Sequence, residues 1–140
     1  METADVRRKF RARIEEARRT AERRRADVER AAQDYDMFLR RVATPAFRTI
    51  ASVLSAENYP FKIFTPAGAL KLVSTHARDD YFEIELDEES TPPQVLGRVN
   101  RSRGGRVTTV EQPLRDGAAI ADLTEEDIVE FVLAHFDAFV

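Results

Sequence analysis

The amino-acid sequence predicts an α+β protein: a long N-terminal coiled-coil-like helix, a short helix, an antiparallel meander sheet of four to five strands, and a C-terminal helix packed on one sheet face. Three patterns support this class. An apolar seam with heptad spacing runs through the first third of the chain. Short segments of alternating apolar and polar residues, separated by turn residues, fill the middle. A capped, strongly apolar helix closes the sequence, and helices flanking a run of strands are typical of α+β folds.

The long helix is predicted from about Asp5 to Ala43 by seam positions that alternate three and four residues apart. A single helix with one apolar seam must bury that seam on a partner, so the seam predicts a homo-oligomer, most simply a dimer. Arg24 also falls on the seam, where it either fixes the register of the pairing or extends its charged end into solvent. The predicted interface consists of Phe10, Ile14, Ala17, Ala21, Val28, Ala31, Tyr35, Phe38 and Val42.

Thr44-Pro45 is expected to end the long helix and to start a second helix, from Pro45 to Glu57, because Thr caps helices well and Pro favours the first helical turn. This boundary divides the chain into an oligomerisation helix, residues 1–43, and a small α+β domain, residues 44–140. We expect the second part to stay folded without the first.

The middle of the chain predicts two hairpins around a central strand. Pro66-Ala67-Gly68 and Ser102-Arg103-Gly104-Gly105 are the two turn signals. In the central strand one face is apolar and the other charged, so the charged face is expected to be solvated. The predicted strands are Phe61–Thr65, Ala69–Thr75, Tyr81–Asp87, Gln94–Arg101 and Arg106–Gln112.

Thr124 is predicted to cap the last helix, whose first turn is acidic. The helix is apolar around most of its circumference, so we expect neighbours on two sides. The predicted core between sheet and helix consists of Phe82, Ile84, Leu86, Phe131, Val132 and Phe136.

Charge is distributed unevenly along the 140 residues. Residues 1–48 carry a net charge of +5, whereas the remainder carries −8. A basic N-terminal segment joined to an acidic C-terminal segment can bind a second copy of itself, or can bind an external polyanion through the basic segment alone.

Composition excludes several classes of function and location. The chain has no cysteine, which excludes disulfides, thiolate catalysis and cysteine-ligated zinc. The first residues lack the apolar stretch of a secretory signal, and no segment reaches the roughly 20 apolar residues of a membrane span. We therefore expect a cytoplasmic protein that does not enter a membrane.

Two groups of arginines are candidate anion-binding surfaces. The first surrounds the long helix, where interspersed acids favour a solvated surface over a phosphate-binding stripe. The second lies around the glycine turn, where arginines can meet phosphate or carboxylate, or can pair with the acidic sheet face. The helix group is Arg7, Arg8, Lys9, Arg11, Arg13, Arg18, Arg19, Arg23, Arg24, Arg25 and Arg30; the turn group is Arg98, Arg101, Arg103 and Arg106.

No catalytic residue, metal ligand or cofactor is predicted. His76 lies near a run of acids, but strand alternation spreads those acids along one face and their spacing matches no cation-binding loop. His135 lies on the apolar last helix and is expected to be a packed or edge residue, not a ligand. The nearby acids are Asp79, Asp80, Glu83, Glu85, Asp87, Glu88 and Glu89.

These patterns favour a non-enzymatic adaptor or assembly protein that self-associates and binds a protein partner. The alternative is a nucleic-acid-associated protein that uses the arginine-rich helix and the Arg98–Arg106 hairpin tip.

Overall fold

The computed structural model describes residues 2–140 and confirms the α+β class. Its helices are α1 (Thr3–Phe38), α2 (Thr44–Ala56) and α3 (Glu125–His135). A π-helical segment, Leu39–Ala43, joins α1 to α2, and short 3₁₀ turns occupy Ile120–Asp122 and Phe136–Phe139. The strands are β1 (Phe61–Phe64), β2 (Ala69–Ser74), β3 (Tyr81–Asp87), β4 (Gln94–Arg103) and β5 (Arg106–Pro113).

The prediction that Thr44-Pro45 ends the long helix is wrong. α1, the π-helical segment and α2 form one continuous helix of 54 residues, about 80 Å long. Pro45 has no N–H and its ring would clash with the carbonyl four residues earlier in a regular α-helix. The preceding turn is instead wider, and the Thr44 N–H donates to the carbonyl of Leu39 five residues back. A π-type turn is a known way to accommodate such a residue without ending the helix.

All five strands pair antiparallel in the order β1-β2-β3-β4-β5, which is the predicted meander in its five-stranded form. At the β4–β5 turn both Gly104 and Gly105 have positive φ, as a tight hairpin between twisted strands requires. Phe82 is opposite Val99 and Ile84 is opposite Gly97, so these residues share one sheet face.

That apolar face forms the core with the second half of the long helix and with α3. Phe47 of α2 and Ile128 of α3 are fully buried, and Phe131 packs edge-on against Phe82 with ring centroids 6.1 Å apart. The predicted core set of six is confirmed, with Leu86 and Phe136 at its partly buried margin. Thr124 caps α3 as predicted, in a reciprocal capping box with Asp127.

The core also includes residues N-terminal to the predicted domain boundary. Ala31, Tyr35 and Phe38 of α1 are buried in the same cluster as the sheet residues. A boundary at residue 43 would therefore pass through both a continuous helix and a shared core. In the described part of α1, Arg24 is the most N-terminal residue that bonds to the rest of the domain, here called the body. The described residues before it project away from the body.

Candidate functional site

The seam of the long helix is divided into an exposed half and a buried half. Residues 7–23, here called the arm, are all exposed. Phe10 and Ile14 keep 65% and 49% of their surface accessible, although large apolar side chains of a single chain are usually covered. Ala17 and Ala21 continue this exposed stripe, and Val28 is half-buried where the helix meets the body.

The C-terminal half of the seam packs on the chain's own sheet instead of on a partner helix. Ala31, Tyr35 and Phe38 are buried there, and Val42 packs at the edge of the same cluster. For these four residues, the prediction of an oligomer interface is corrected: their apolar surface is already covered within one chain. A sheet face can bury a helix seam as well as a second helix can.

Tyr35 fixes the helix on the sheet with its hydroxyl group. The hydroxyl donates toward the backbone carbonyl oxygens of Gly68 and Ile84, at 2.9 Å and 3.3 Å. Burial raises the pKa of Tyr35 well above its ordinary value, and the negative charges of Glu85 and Glu83 raise it further. The phenol therefore stays protonated and acts as a structural donor.

Arg24 marks the base of the arm. Its guanidinium donates to the carbonyl oxygen of Ser90 at 3.0 Å and to that of Glu88, both in the β3–β4 loop. Arg24 therefore neither pairs in a helix–helix seam nor extends freely into solvent within this chain. It ties the helix to the body at the point where the apolar contacts of the helix begin.

The predicted anion-binding arginines have different surroundings in the structure, although Arg103 and Arg106 are opposite each other at the β4–β5 turn. Arg98 lies on the outer sheet face and bonds to Glu83, to Glu85 at 3.3 Å and to Glu111 at 2.7 Å. Arg103 donates to the carbonyl oxygen of Ala138 at 2.8 Å. Arg101 is half-buried and Arg106 is exposed at the turn. Only part of the predicted group thus remains at the hairpin tip.

The charged sheet face is built around Arg98. Partial burial lowers the pKa of Arg98, but hydrogen bonds to Glu111 and Glu85 and the charge of Glu83 raise it, and the net shift is upward. Glu83 is only 6% exposed and has Lys71 as a second cation at 3.8 Å. The prediction that the charged face is solvated is therefore wrong at its centre, where the carboxylate of Glu83 is buried under its partners.

Four of the seven acids near His76 have structural partners. Glu83 and Glu85 pair with Arg98, Asp80 accepts from the Ser102 N–H, and Asp87 accepts from the Glu89 N–H. Across residues 2–140, no group of three or more His, Asp or Glu side chains is arranged to hold a metal ion. His135 packs against Phe131, with ring centroids 5.5 Å apart, which agrees with the prediction of a packed or edge residue.

An apolar groove between α2 and α3 is the surface that sequence reasoning missed. The cavity measures about 400 Å³, and Val53 and Leu133 on its walls are 55% and 59% exposed. The prediction that α3 is covered on two sides is therefore wrong for the single chain, because its second apolar side is open. The sequence did carry a signal for this surface, because α3 is apolar around most of its circumference, including Val129 and Leu133. The other lining residues are Thr49, Ile50, Leu54, Glu57, Tyr59, Val129, Val132 and Phe136.

A second concavity, of about 510 Å³, lies on the outer sheet face beside β1 and β2. Lys62, Lys71 and Arg78 supply cationic groups on its walls, and Phe64 supplies an aromatic ring that is 52% exposed. Lys71 is already engaged with Glu83 and lies 4.2 Å from the centre of the Tyr81 ring.

Within the described residues, no helix is both long enough and apolar enough to cross a membrane. Comparison of the chain with protein-family models, with curated proteins and with solved structures finds no match. The function therefore has to be inferred from the geometry of this chain.

Proposed function

We propose that the chain is a non-enzymatic assembly module that self-associates through its projecting arm. The observation that supports this most directly is the exposure of Phe10 and Ile14. Both continue the heptad register of Ala31, Tyr35 and Phe38, which are buried in the body. One helix therefore carries a single apolar seam, half of which is covered by its own chain. Covering the other half requires another molecule.

In this proposal the body serves as the adaptor part and acts in the cytoplasm. The concavity beside Phe64 is the surface that supports binding of a protein partner, because it combines an exposed aromatic ring with cationic groups. The nucleic-acid alternative has less support, since Arg98 and Arg103 of the predicted tip already bond within the chain.

Light scattering coupled to size exclusion at tens of micromolar tests the proposal. We expect twice the 16.0 kDa mass of one chain for the wild type, and a shift toward monomer for Phe10→Ser/Ile14→Ser. The matched control is Val107→Ser/Val110→Ser, which removes exposed apolar residues from β5. A wild-type monomer would contradict the proposal. A 260/280 nm absorbance ratio that falls on adding salt would favour the nucleic-acid alternative.

A further inference from the structure

We infer that the arm of one copy docks in the α2–α3 groove of a second copy, and that the exchange is reciprocal. This inference rests on the proposed self-association and specifies the surface that receives the arm. It differs from the simplest coiled coil, in which two arms pair with each other.

The two surfaces carry many of the large apolar residues that are exposed in the described part of the chain. Ten large apolar residues are exposed in the described part, and five of them belong to the arm or to the groove. Two of these, Phe10 and Ile14, project from the arm, as the anchors of a helix that binds in a groove do. The other three, Val53, Val129 and Leu133, lie on the walls of the groove.

Charge indicates what the groove receives. The arm, residues 7–23, carries eight basic side chains and three acids, whereas residues 125–140 carry five acids and no lysine or arginine. Five of the basic side chains lie between residues 7 and 13, on either side of Phe10. The acids belong to the helix and tail that form one wall of the groove, and of these Asp127 already pairs with Arg115 at 3.6 Å. Glu57 adds a carboxylate to the opposite wall. Opposite charges around an apolar contact favour this pairing and disfavour the pairing of two basic arms.

The arm that fills the groove must come from another molecule, because the arm and one wall of the groove belong to the same continuous helix. Phe10 and Val53 belong to the same continuous helix, about 60 Å apart along its axis. A rigid helix cannot fold back by that distance, so the arm cannot fill its own groove.

In a pair of copies, each can place its arm in the groove of the other. If residue 10 of each copy meets residue 53 of the other, the two long helices run antiparallel and cross beside residues 31 and 32. Because each copy makes the same contact with the other, a single two-fold axis at the crossing point relates both contacts.

Sedimentation equilibrium on the full chain tests the inference with matched pairs of substitutions. Val53→Ser/Leu133→Ser changes the groove at two exposed positions, so the fold is expected to persist. We expect this pair, like Phe10→Ser/Ile14→Ser, to weaken dimerisation by at least about 10-fold. The control Val107→Ser/Val110→Ser should leave the dimerisation constant unchanged.

The outcomes separate this inference from the proposed function. If the arm pair weakens the dimer and the groove pair does not, arms pair with arms: the inference is overturned and self-association through the arm stands. If the arm pair has no effect, both are overturned.

Cross-linking then locates the contact, because the natural chain contains no cysteine. Phe10→Cys protein is mixed with Leu133→Cys protein under mild oxidation. We expect the mixed disulfide dimer to dominate. Dominant cross-linking of Phe10→Cys to itself would overturn the inference in favour of parallel arms.

Discussion

The ring of Phe131 lies directly against the backbone of Gly97, so that a Cβ atom added at residue 97 would be 2.6 Å from Cε1 and Cζ of that ring. Gly97 stands on β4 opposite Ile84, at the centre of the apolar sheet face. The absence of a side chain at this position is what allows α3 to approach the sheet. The seating of α3 in turn forms one wall of the α2–α3 groove.

Gly97→Ala is therefore expected to destabilise the protein. The added methyl group must displace a ring that is almost fully buried, at a cost of about 1 to 3 kcal/mol in free energy of unfolding, measured by urea denaturation. Phe131→Ala should cost about 3 to 5 kcal/mol through lost burial and the cavity left behind.

The double variant Gly97→Ala/Phe131→Ala shows whether a clash with the Phe131 ring causes the destabilisation by Gly97→Ala. Once the ring is gone, Gly97→Ala should cost less than it does alone, because the two residues are in contact. Equal costs in both backgrounds would mean that the ring is not the obstacle.

Arg98→Met is expected to destabilise the folded chain because the buried carboxylate of Glu83 loses one of its cationic partners. The substitution keeps much of the side-chain volume but leaves the buried Glu83 carboxylate with Lys71 as its remaining cation. Removing one partner of a buried ion pair lowers the free energy of unfolding by about 3 kcal/mol. Arg106→Met at the exposed turn is the control and should change stability by less than about 0.5 kcal/mol. Similar effects of the two substitutions in thermal melts would show that the charged face is not organised around Arg98.

Tyr35→Phe is expected to lower the free energy of unfolding near neutral pH by about 1 to 2 kcal/mol, because the carbonyls of Gly68 and Ile84 lose their donor. The pKa of Tyr35 is raised in the folded state above its ordinary value of 10.0. The folded protein therefore holds this proton after the unfolded chain has released it. The advantage of wild type over Tyr35→Phe is full below pH 10 and should shrink as pH rises above 10.

Urea denaturation of both proteins across this alkaline range measures the difference. Because the other titrating groups are common to the two proteins, the comparison isolates Tyr35. A wild-type advantage that is constant or grows with pH would contradict the assignment.

Much of the fold was predictable because local rules and tertiary packing agree. The alternation in Tyr81–Asp87 and the capping residues of α3 each point to one structure, and each is confirmed. The prediction that the long helix ends at Thr44-Pro45 was wrong because the rule for proline assumes a regular α-helix, whereas a π-type turn accommodates the ring.

The surfaces were less predictable than the elements. The heptad rule identifies what must be buried but not what buries it, so the sequence alone did not distinguish the packed Tyr35 from the exposed Phe10. The groove depends on where α2 and α3 lie relative to each other, and α3 is positioned in part by long-range packing on the sheet, where Phe131 meets Gly97. No local pattern specifies that arrangement.

Truncation separates the two roles assigned to the long helix. A chain that begins at Arg24 keeps Ala31, Tyr35 and Phe38 in the core, whereas a chain that begins at Thr44 loses all three. Contrary to the sequence expectation, the shorter chain should therefore lose its cooperative melting transition. Such losses of buried side chains cost several kcal/mol, on the order of the whole stability of a small domain.

The most direct measurement is the mass of the chain that begins at Arg24, taken by light scattering together with its thermal melt. We expect a folded monomer: the melting transition is cooperative and close to that of the full-length protein, but the dimer is absent. A folded dimer would contradict the account, because association would then not depend on the arm. A chain without a melting transition would contradict it as well, because the arm would then be part of the fold.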